Sequence, residues 1–150
     1  MRDAGYGMRE NTPPTHCPGT IPQRHPSYCS AVRKLQHLDA WNVAQHVAHR
    51  AYLLSLDARL SKHFALIDQI RRAALSVPAN IAEGYSLGTT PQFLRGLKIA
   101  LGSNTELYSH LTVLRKLDLV STEDVVPVLD LCNRSIAIII GLIRRLSTRS

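Results

Sequence analysis

Apolar residues recur every three or four positions through most of the chain after residue 36, a spacing that predicts amphipathic helices. Short polar segments separate four such stretches, so each stretch forms one helix. Short connections between long helices favour antiparallel neighbours, which predicts an all-α, up-down-up-down four-helix bundle over residues 37–150. The predicted helices run from Asp39 to Ser55, from His63 to Glu83, from Pro91 to Leu117 and from Ser121 to Leu146.

Local signals place the helix ends. Asp39 and Thr90 are the predicted N-caps of the first and third helices, and Pro91 suits the first helical position. Ser121 with Asp124 three residues later resembles a capping box at the start of the fourth. Within the third helix the small residues Gly96, Gly102 and Ser103 predict a close approach of a neighbouring helix, because glycine otherwise costs up to about 1 kcal/mol there.

The segment from Gln69 to Gly84 carries two stripes. One is apolar and predicts a buried face; it consists of Leu66, Ile70, Ala73, Val77 and Ile81. The other is polar and shares a second face; it consists of Gln69, Arg72, Ser76, Asn80 and Glu83.

Proline removes a backbone donor, so Pro78 predicts a kink or a break inside this segment. After a break, Asn80 and Glu83 have the spacing to cap a new turn, and Gly84 suits the left-handed residue that ends a helix. We interpret this signature as structural or as a set of contacts between subunits.

Residues 1–36 differ from the rest of the chain. They hold Pro13, Pro14, Pro18, Pro22 and Pro26, lack apolar periodicity and are basic, so they predict a disordered arm. Either the arm contacts nucleic acid, or it is an upstream extension from a misplaced start codon.

Composition bounds the protein class. A hydrophobic content of 45% in 150 residues supports one domain with a core, and three cysteines without a Cys-x-x-Cys pair favour a reducing cytoplasm. No secretory signal is visible. The longest apolar run, Ile136 to Ile143, is far shorter than the roughly 20 residues that span a bilayer, so we expect a soluble protein without membrane contact. The apolar residues 136–140 surround their helix, which indicates either oligomerisation or a thickly covered core helix.

The sequence contains no pattern typical of an active site. Glu106 and His110 are four residues apart, without the repeated Glu-x-x-His motif of a di-iron bundle. We found no nucleophile elbow, no triad and no zinc spacing, so the sequence predicts no catalytic residue, no metal and no cofactor. A non-enzymatic protein follows.

The charge suggests a different class of partner. The formal net charge of +7 favours polyanions, although ordinary solvated faces of a basic protein are the alternative. Basic pairs on the helices can neutralise phosphates without reading bases. The candidate nucleic-acid-binding residues are Arg71, Arg72, Arg95, Lys98, Arg115, Lys116, Arg144 and Arg145.

Three stretches resemble a bacterial four-helix-bundle family. The first is Leu38 to Trp41 together with Ala44. The second is the signature formed by Gln69 to Ala73 and by Ser76 to Gly84. The third lies in the predicted third helix and consists of Phe93-Leu94, Ala100 to Ser103 and Glu106-Leu107. The family is named after proteins encoded within intervening sequences of large-subunit ribosomal RNA genes in some bacteria. It is related to the accessory variability determinant of diversity-generating retroelements.

This resemblance implies a non-enzymatic homopentameric ring or barrel with a basic surface. For the retroelement relatives it further implies binding of RNA or DNA and of a reverse transcriptase. The segment Arg59 to His63 departs from the family by replacing acidic and proline residues, and the arm has no counterpart. A protein-interaction scaffold and, less in keeping with the residues, a cofactor-carrying bundle enzyme are the alternative functions.

Overall fold

The computed structural model describes residues 34–148, which form an all-α four-helix bundle. The helices are α1 (Asp39–Leu54), α2 (Phe64–Ser86), α3 (Thr90–Lys116) and α4 (Thr122–Ser147). A single 3-10 turn, Ala58–Leu60, lies in the connection between α1 and α2. The predicted fold class is confirmed. Most of the predicted arm, residues 1–33, and residues 149–150 lie outside the described residues.

The helices pack as a square in which α1 contacts α2 and α4, and α3 contacts the same two helices. Two apolar clusters fill the interior. One lies around Val47, Ile70, Leu111 and Val128, at the end where α1 and α3 finish. The other lies around Ala44, Val77, Leu97 and Ile139, at the end where α2 and α4 finish.

Pro78 was predicted to cause a kink or a break, and the break is wrong, since α2 continues through this proline to Ser86. The flanking residues Val77 and Ile81 are fully buried. A break would expose apolar side chains whose burial contributes about 1.5–3 kcal/mol each, as much as the roughly 3 kcal/mol that an interior proline costs. Packing therefore overrides the local rule.

The predicted left-handed end at Gly84 is also wrong, because Gly84 is buried inside α2. At this end of α2, the residue with positive φ is Gly88, at +76°, just after the C-cap Leu87. Asn80 and Glu83 likewise lie within the continuous helix and begin no new turn.

Two of the three predicted helix starts are displaced by one residue. Leu38 is the N-cap of α1, so Asp39 is its first helical residue, where its charge complements the helix dipole. Thr89 rather than Thr90 caps α3, and Pro91 occupies the second position. The start of α4 is as predicted, since the Ser121 Oγ accepts a hydrogen bond from the Asp124 N–H at 3.1 Å.

By length and composition alone, α4 is apolar enough to cross a membrane, which the search for an uninterrupted apolar run did not reveal. Only 28% of its most apolar window is buried inside the bundle. The helix nevertheless supplies Val125, Val128, Cys132 and Ile139 to the core and carries charges on its outer side. We therefore describe α4 as a bundle helix with unusually apolar flanks.

Candidate nucleic-acid interface

Arg71 contacts the end of α1 rather than projecting freely. Its Nε donates to the Ser55 Oγ at 2.8 Å, and its Nη2 donates to the Ser55 carbonyl at 3.2 Å. The guanidinium also lies 5.0 Å from the centre of the Tyr52 ring. A cation on the last carbonyls of a helix stabilises its C-terminus, so Arg71 joins α1 to α2.

Arg72 pairs across the α2–α3 contact. Its Nη2 lies 3.1 Å from the Glu106 Oε1, and it also donates to the Gln69 side chain. The same Glu106 oxygen lies 3.7 Å from the His110 Nε2. The polar stripe predicted on α2 thus faces a matching polar stripe on α3, which is the partner that the sequence did not identify.

Farther along this contact, three side chains form a hydrogen-bond network. The Ser76 and Ser103 hydroxyls are 2.9 Å apart. The Asn80 Nδ2 donates to the Ser76 carbonyl at 2.8 Å and to the Ser76 Oγ at 2.9 Å. Because a carbonyl only accepts, the network fixes which way the Asn80 amide points, and its Oδ1 faces away from Ser76.

Gly84 and Gly96 bring the backbones of α2 and α3 into contact. A Cβ added to Gly96 would lie 2.5 Å from the Asn80 carbonyl oxygen and 2.9 Å from the Gly84 Cα. The predicted close approach at Gly96 is therefore confirmed. Gly102 has open space around it and makes no such contact.

The two ends of the α3–α4 hairpin differ in charge. The part formed by residues 91–105 and 131–148, which we call the basic half, contains no aspartate or glutamate. Its five cations are exposed and, among residues 34–148, none forms an ion pair. They are Arg95, Lys98, Arg134, Arg144 and Arg145. Arg134 was not among the predicted binding residues; Asp130 lies one helical turn before it, and the two form no ion pair.

Residues 106–130, which we call the acidic half, hold the remaining predicted pair, Arg115 and Lys116. Both are exposed, but five carboxylates share this end of the hairpin. They are Glu106, Asp118, Glu123, Asp124 and Asp130. The eight predicted residues therefore separate into two engaged within the bundle, two among acids and four in the basic half.

Polar groups are buried where α3 and α4 meet at mid-length. Asn104 and Ser135 are fully buried. The Asn104 Nδ2 donates to the Cys132 carbonyl at 3.3 Å, whereas its Oδ1 and the Ser135 Oγ have no hydrogen-bond partner among residues 34–148. Cys132 is a fully buried core residue, and this burial raises the pKa of its thiol to about 12.

A charged contact lies in the α1–α2 connection, at the end of the bundle away from the basic half. Asp57 caps the 3-10 turn by accepting from the Arg59 backbone N–H at 2.9 Å. The side-chain hydrogen bonds from Arg59 hold the pKa of Asp57 below its ordinary value, and the same contact raises the pKa of Arg59. Arg59 also lies 3.6 Å from Asp124, so its charge is compensated. This arginine is poorly suited to bind a phosphate.

Within residues 34–148 no three histidine, cysteine or carboxylate side chains are grouped so that they could hold a metal ion. The pair His46 and His49 on α1 is exposed and has no third ligand there. Surface charge is therefore the chemical feature that distinguishes one part of this bundle from another.

Comparison with known proteins assigns the fold to a family. The chain is similar over 70% of its length, with 21% identity and a TM-score of 0.64, to a solved structure from Bacteroides thetaiotaomicron. That structure is described as a protein with unknown function from the S23 ribosomal protein family, and 95% of it is covered. No curated protein matches the chain. Residues 36–141 match the model of the 23S rRNA-intervening sequence proteins, and the chain belongs to that family.

Proposed function

We propose that this protein is a non-enzymatic, homo-oligomeric accessory protein that binds nucleic acid through the basic half of its α3–α4 hairpin. The observation that carries the proposal is the five exposed cations in two stretches without a carboxylate. Arg95, Lys98, Arg144 and Arg145 are the phosphate-binding residues, joined by Arg134.

The positions of the unpaired cations support binding through the basic half better than the net charge of the whole chain does. A cation without a carboxylate partner contributes its full charge to a phosphate, whereas Arg59 and Arg72 would first lose their ion pairs. Arg134 and Arg145 are eleven residues apart, about three helical turns, so they lie on the same side of α4. Contacts of this kind position a backbone without reading its sequence.

Self-association is the second part of the proposal. The half-buried Ile136, Ile138 and Ile140, with exposed Ala137 and Gly141 between them, leave apolar surface on α4 that the bundle does not cover. Such surface is typical of a contact between subunits. The family resemblance favours a pentamer, which would repeat the basic half five times around one ring.

The genomic setting decides the biological role. The family name associates related genes with ribosomal RNA, whereas the resemblance to the retroelement determinant suggests assistance to a reverse transcriptase. A neighbouring reverse transcriptase gene with paired template and variable repeats selects the retroelement role. Insertion within a ribosomal RNA gene selects the role associated with ribosomal RNA. In both cases we place the protein in the cytoplasm.

The experiment is a binding titration of the full chain with structured RNA and with duplex DNA across a salt series. We expect affinity to fall steeply with salt, because each neutralised phosphate releases a counterion and steepens the logarithmic slope by about 0.9 on duplex DNA. Reversing Arg95, Lys98, Arg144 and Arg145 to glutamate should lower the affinity more than about a hundredfold at low salt.

Arg115 and Lys116 provide the matched control for Arg144 and Arg145, since reversing either pair changes two exposed cations on the same hairpin. We expect a much smaller loss for Arg115 and Lys116, because five carboxylates share the same half of the hairpin. No binding by the unaltered chain at low salt would refute nucleic-acid binding, and equal losses in both variants would refute its location. Sedimentation equilibrium on the same samples tests assembly, which a mass of 16.7 kDa would contradict.

A further inference from the structure

We propose that the pocket between the end of α2 and the first turns of α3 binds one unpaired guanine base. This inference rests on the proposed function, because the bound strand brings the base to the pocket. The pocket has a volume of about 170 Å³ and adjoins the basic half through Arg95. Its lining residues are Asn80, Glu83, Gly84, Leu87, Gln92, Arg95, Gly96 and Ile99.

The wall formed by α2 presents hydrogen-bond acceptors. Both amide hydrogens of Asn80 point toward Ser76, so its Oδ1 is the group that remains. Glu83 adds an exposed carboxylate that forms no ion pair with any residue from 34 to 148. A carboxylate accepts hydrogen bonds and does not donate them when ionised.

The wall formed by α3 presents donors. The Gln92 Oε1 accepts a hydrogen bond from the Thr89 hydroxyl at 2.7 Å, which leaves the Gln92 Nε2 as its free group. The Arg95 guanidinium adds donors that none of the described residues engages through a side-chain hydrogen bond or ion pair. The two helices thus face each other with opposite hydrogen-bonding character.

The glycine contact forms the floor of the pocket. Gly84 and Gly96 line it where the backbones of α2 and α3 touch, and no side chain projects from either glycine into the space above them. Leu87 and Ile99, which are 52% and 46% exposed, provide apolar edges against which a planar ring can pack. The volume holds a single heterocycle but not an entire nucleotide, so the sugar and phosphate would remain outside, near Arg95 and Lys98.

Guanine fits this arrangement better than the other bases. Its Watson–Crick edge places the N1–H and N2–H donors beside the O6 acceptor, so the donors meet Glu83 and Asn80 while O6 meets Gln92 or Arg95. Adenine presents the N1 acceptor on that edge, which the Glu83 carboxylate would repel. Uracil has only one donor there, and that donor lies between two acceptors.

The test uses the full chain and two short RNA oligonucleotides, one of uridine alone and one with a single central guanosine. By fluorescence anisotropy the guanosine oligonucleotide should bind about tenfold more tightly. Inosine at the same position lacks the N2 amino group and should lose part of the gain. A deoxyguanosine oligonucleotide and free guanosine monophosphate distinguish RNA, DNA and nucleotide as the source of the base.

Glu83→Gln should abolish the guanosine preference without weakening binding of the uridine oligonucleotide. Asp130→Asn is the matched control, because it removes one exposed negative charge from α4 outside the pocket and should preserve the preference. Gln92→Leu provides a second pocket variant. A normal circular dichroism spectrum establishes that each variant is folded.

Equal affinity of the unaltered chain for the two oligonucleotides would overturn the pocket assignment and leave the basic half intact. A preference that survives in Glu83→Gln would also overturn it. If neither oligonucleotide binds at low salt, the proposed function fails. The pocket is then tested alone by NMR, through the side-chain amide resonances of Gln92 in the presence of a free nucleotide. Their displacement by guanosine but not adenosine monophosphate would support the assignment, and no displacement by either would overturn it.

Discussion

Helix α3 contacts its two neighbours in different ways. Against α2 it makes a backbone contact at Gly84 and Gly96, followed by hydroxyl, amide and ion-pair contacts that remain partly open to solvent. Against α4 it packs apolar side chains around a fully buried Asn104. The first contact depends on the absence of side chains, and the second depends on their fit.

This difference indicates where the bundle tolerates change. A backbone contact cannot relax around an added atom, because both partners are held by their own helices. A side-chain contact can repack, so substitutions there have smaller effects when volume and polarity are respected. Substitutions at the two contacts test this contrast, and their expected effects on stability decrease from Gly96 to Cys132.

Gly96→Ala should have the largest effect. The added Cβ lies 2.5 Å from a carbonyl oxygen of α2, so the helices must separate, and we expect a loss of about 2–3 kcal/mol in the free energy of unfolding. Gly102→Ala in the same helix has nothing within 4 Å and should gain up to about 1 kcal/mol from helix propensity. Urea unfolding followed by circular dichroism measures both, and similar changes in the two variants would contradict the backbone contact.

Asn104→Leu should have a smaller effect of opposite sign. Leucine keeps the branching of asparagine and removes an acceptor that lacks a partner among residues 34–148, so we expect a gain of about 1 kcal/mol. Ser135→Ala removes the neighbouring unpartnered hydroxyl and tests the same idea on α4. Calorimetry provides the measurement; a lower unfolding temperature in both variants would mean that these groups are hydrogen-bonded in solution.

Cys132 tests the α3–α4 contact through pH. Since burial raises the thiol pKa from 9.0 to about 12, the unfolded chain ionises first, and this cysteine lowers stability only as pH rises above 9.0. In a Cys17→Ser, Cys29→Ser background we expect no reaction of the folded protein with a thiol reagent near pH 8. Rapid labelling under native conditions would show that α4 separates from α3. As pH rises above 9.0, the Cys132→Ala variant should lose less stability than the chain that retains Cys132.

The apolar periodicity predicted the four helices and most of their buried faces, because burying an amphipathic face determines where a bundle helix lies. The local rule that predicted a kink or a break at Pro78 considers only the cost of the proline, whereas the packing that keeps α2 continuous comes from other helices. The contact of Gly84 with the backbone of α3 could not be predicted either, because it also depends on another helix. A glycine at a turn and a glycine under a neighbouring backbone look identical until the partner is known.

The composition of the basic half, our proposed binding surface, was predicted only in part. The acid-free stretches around Arg95 and Arg144 are visible in the sequence, but their proximity depends on the antiparallel arrangement of α3 and α4. Arg71 and Ser55 are sixteen residues apart in the sequence, so no local pattern could predict the hydrogen bonds between them. Asn104 left a signal, since it interrupts the apolar repeat of α3 between Ala100 and Leu107.

The separation of charge along the α3–α4 hairpin also has a kinetic consequence. A basic half and an acidic half at opposite ends give this pair of helices a permanent electric dipole, which exerts a torque on the protein in the field of a polyanion. For the proposed binding of nucleic acid, we expect the end that carries Arg95 and Arg144 to lead on approach. Electrostatic steering of this kind acts on the association rate, so added salt should slow encounter before it loosens the proposed complex.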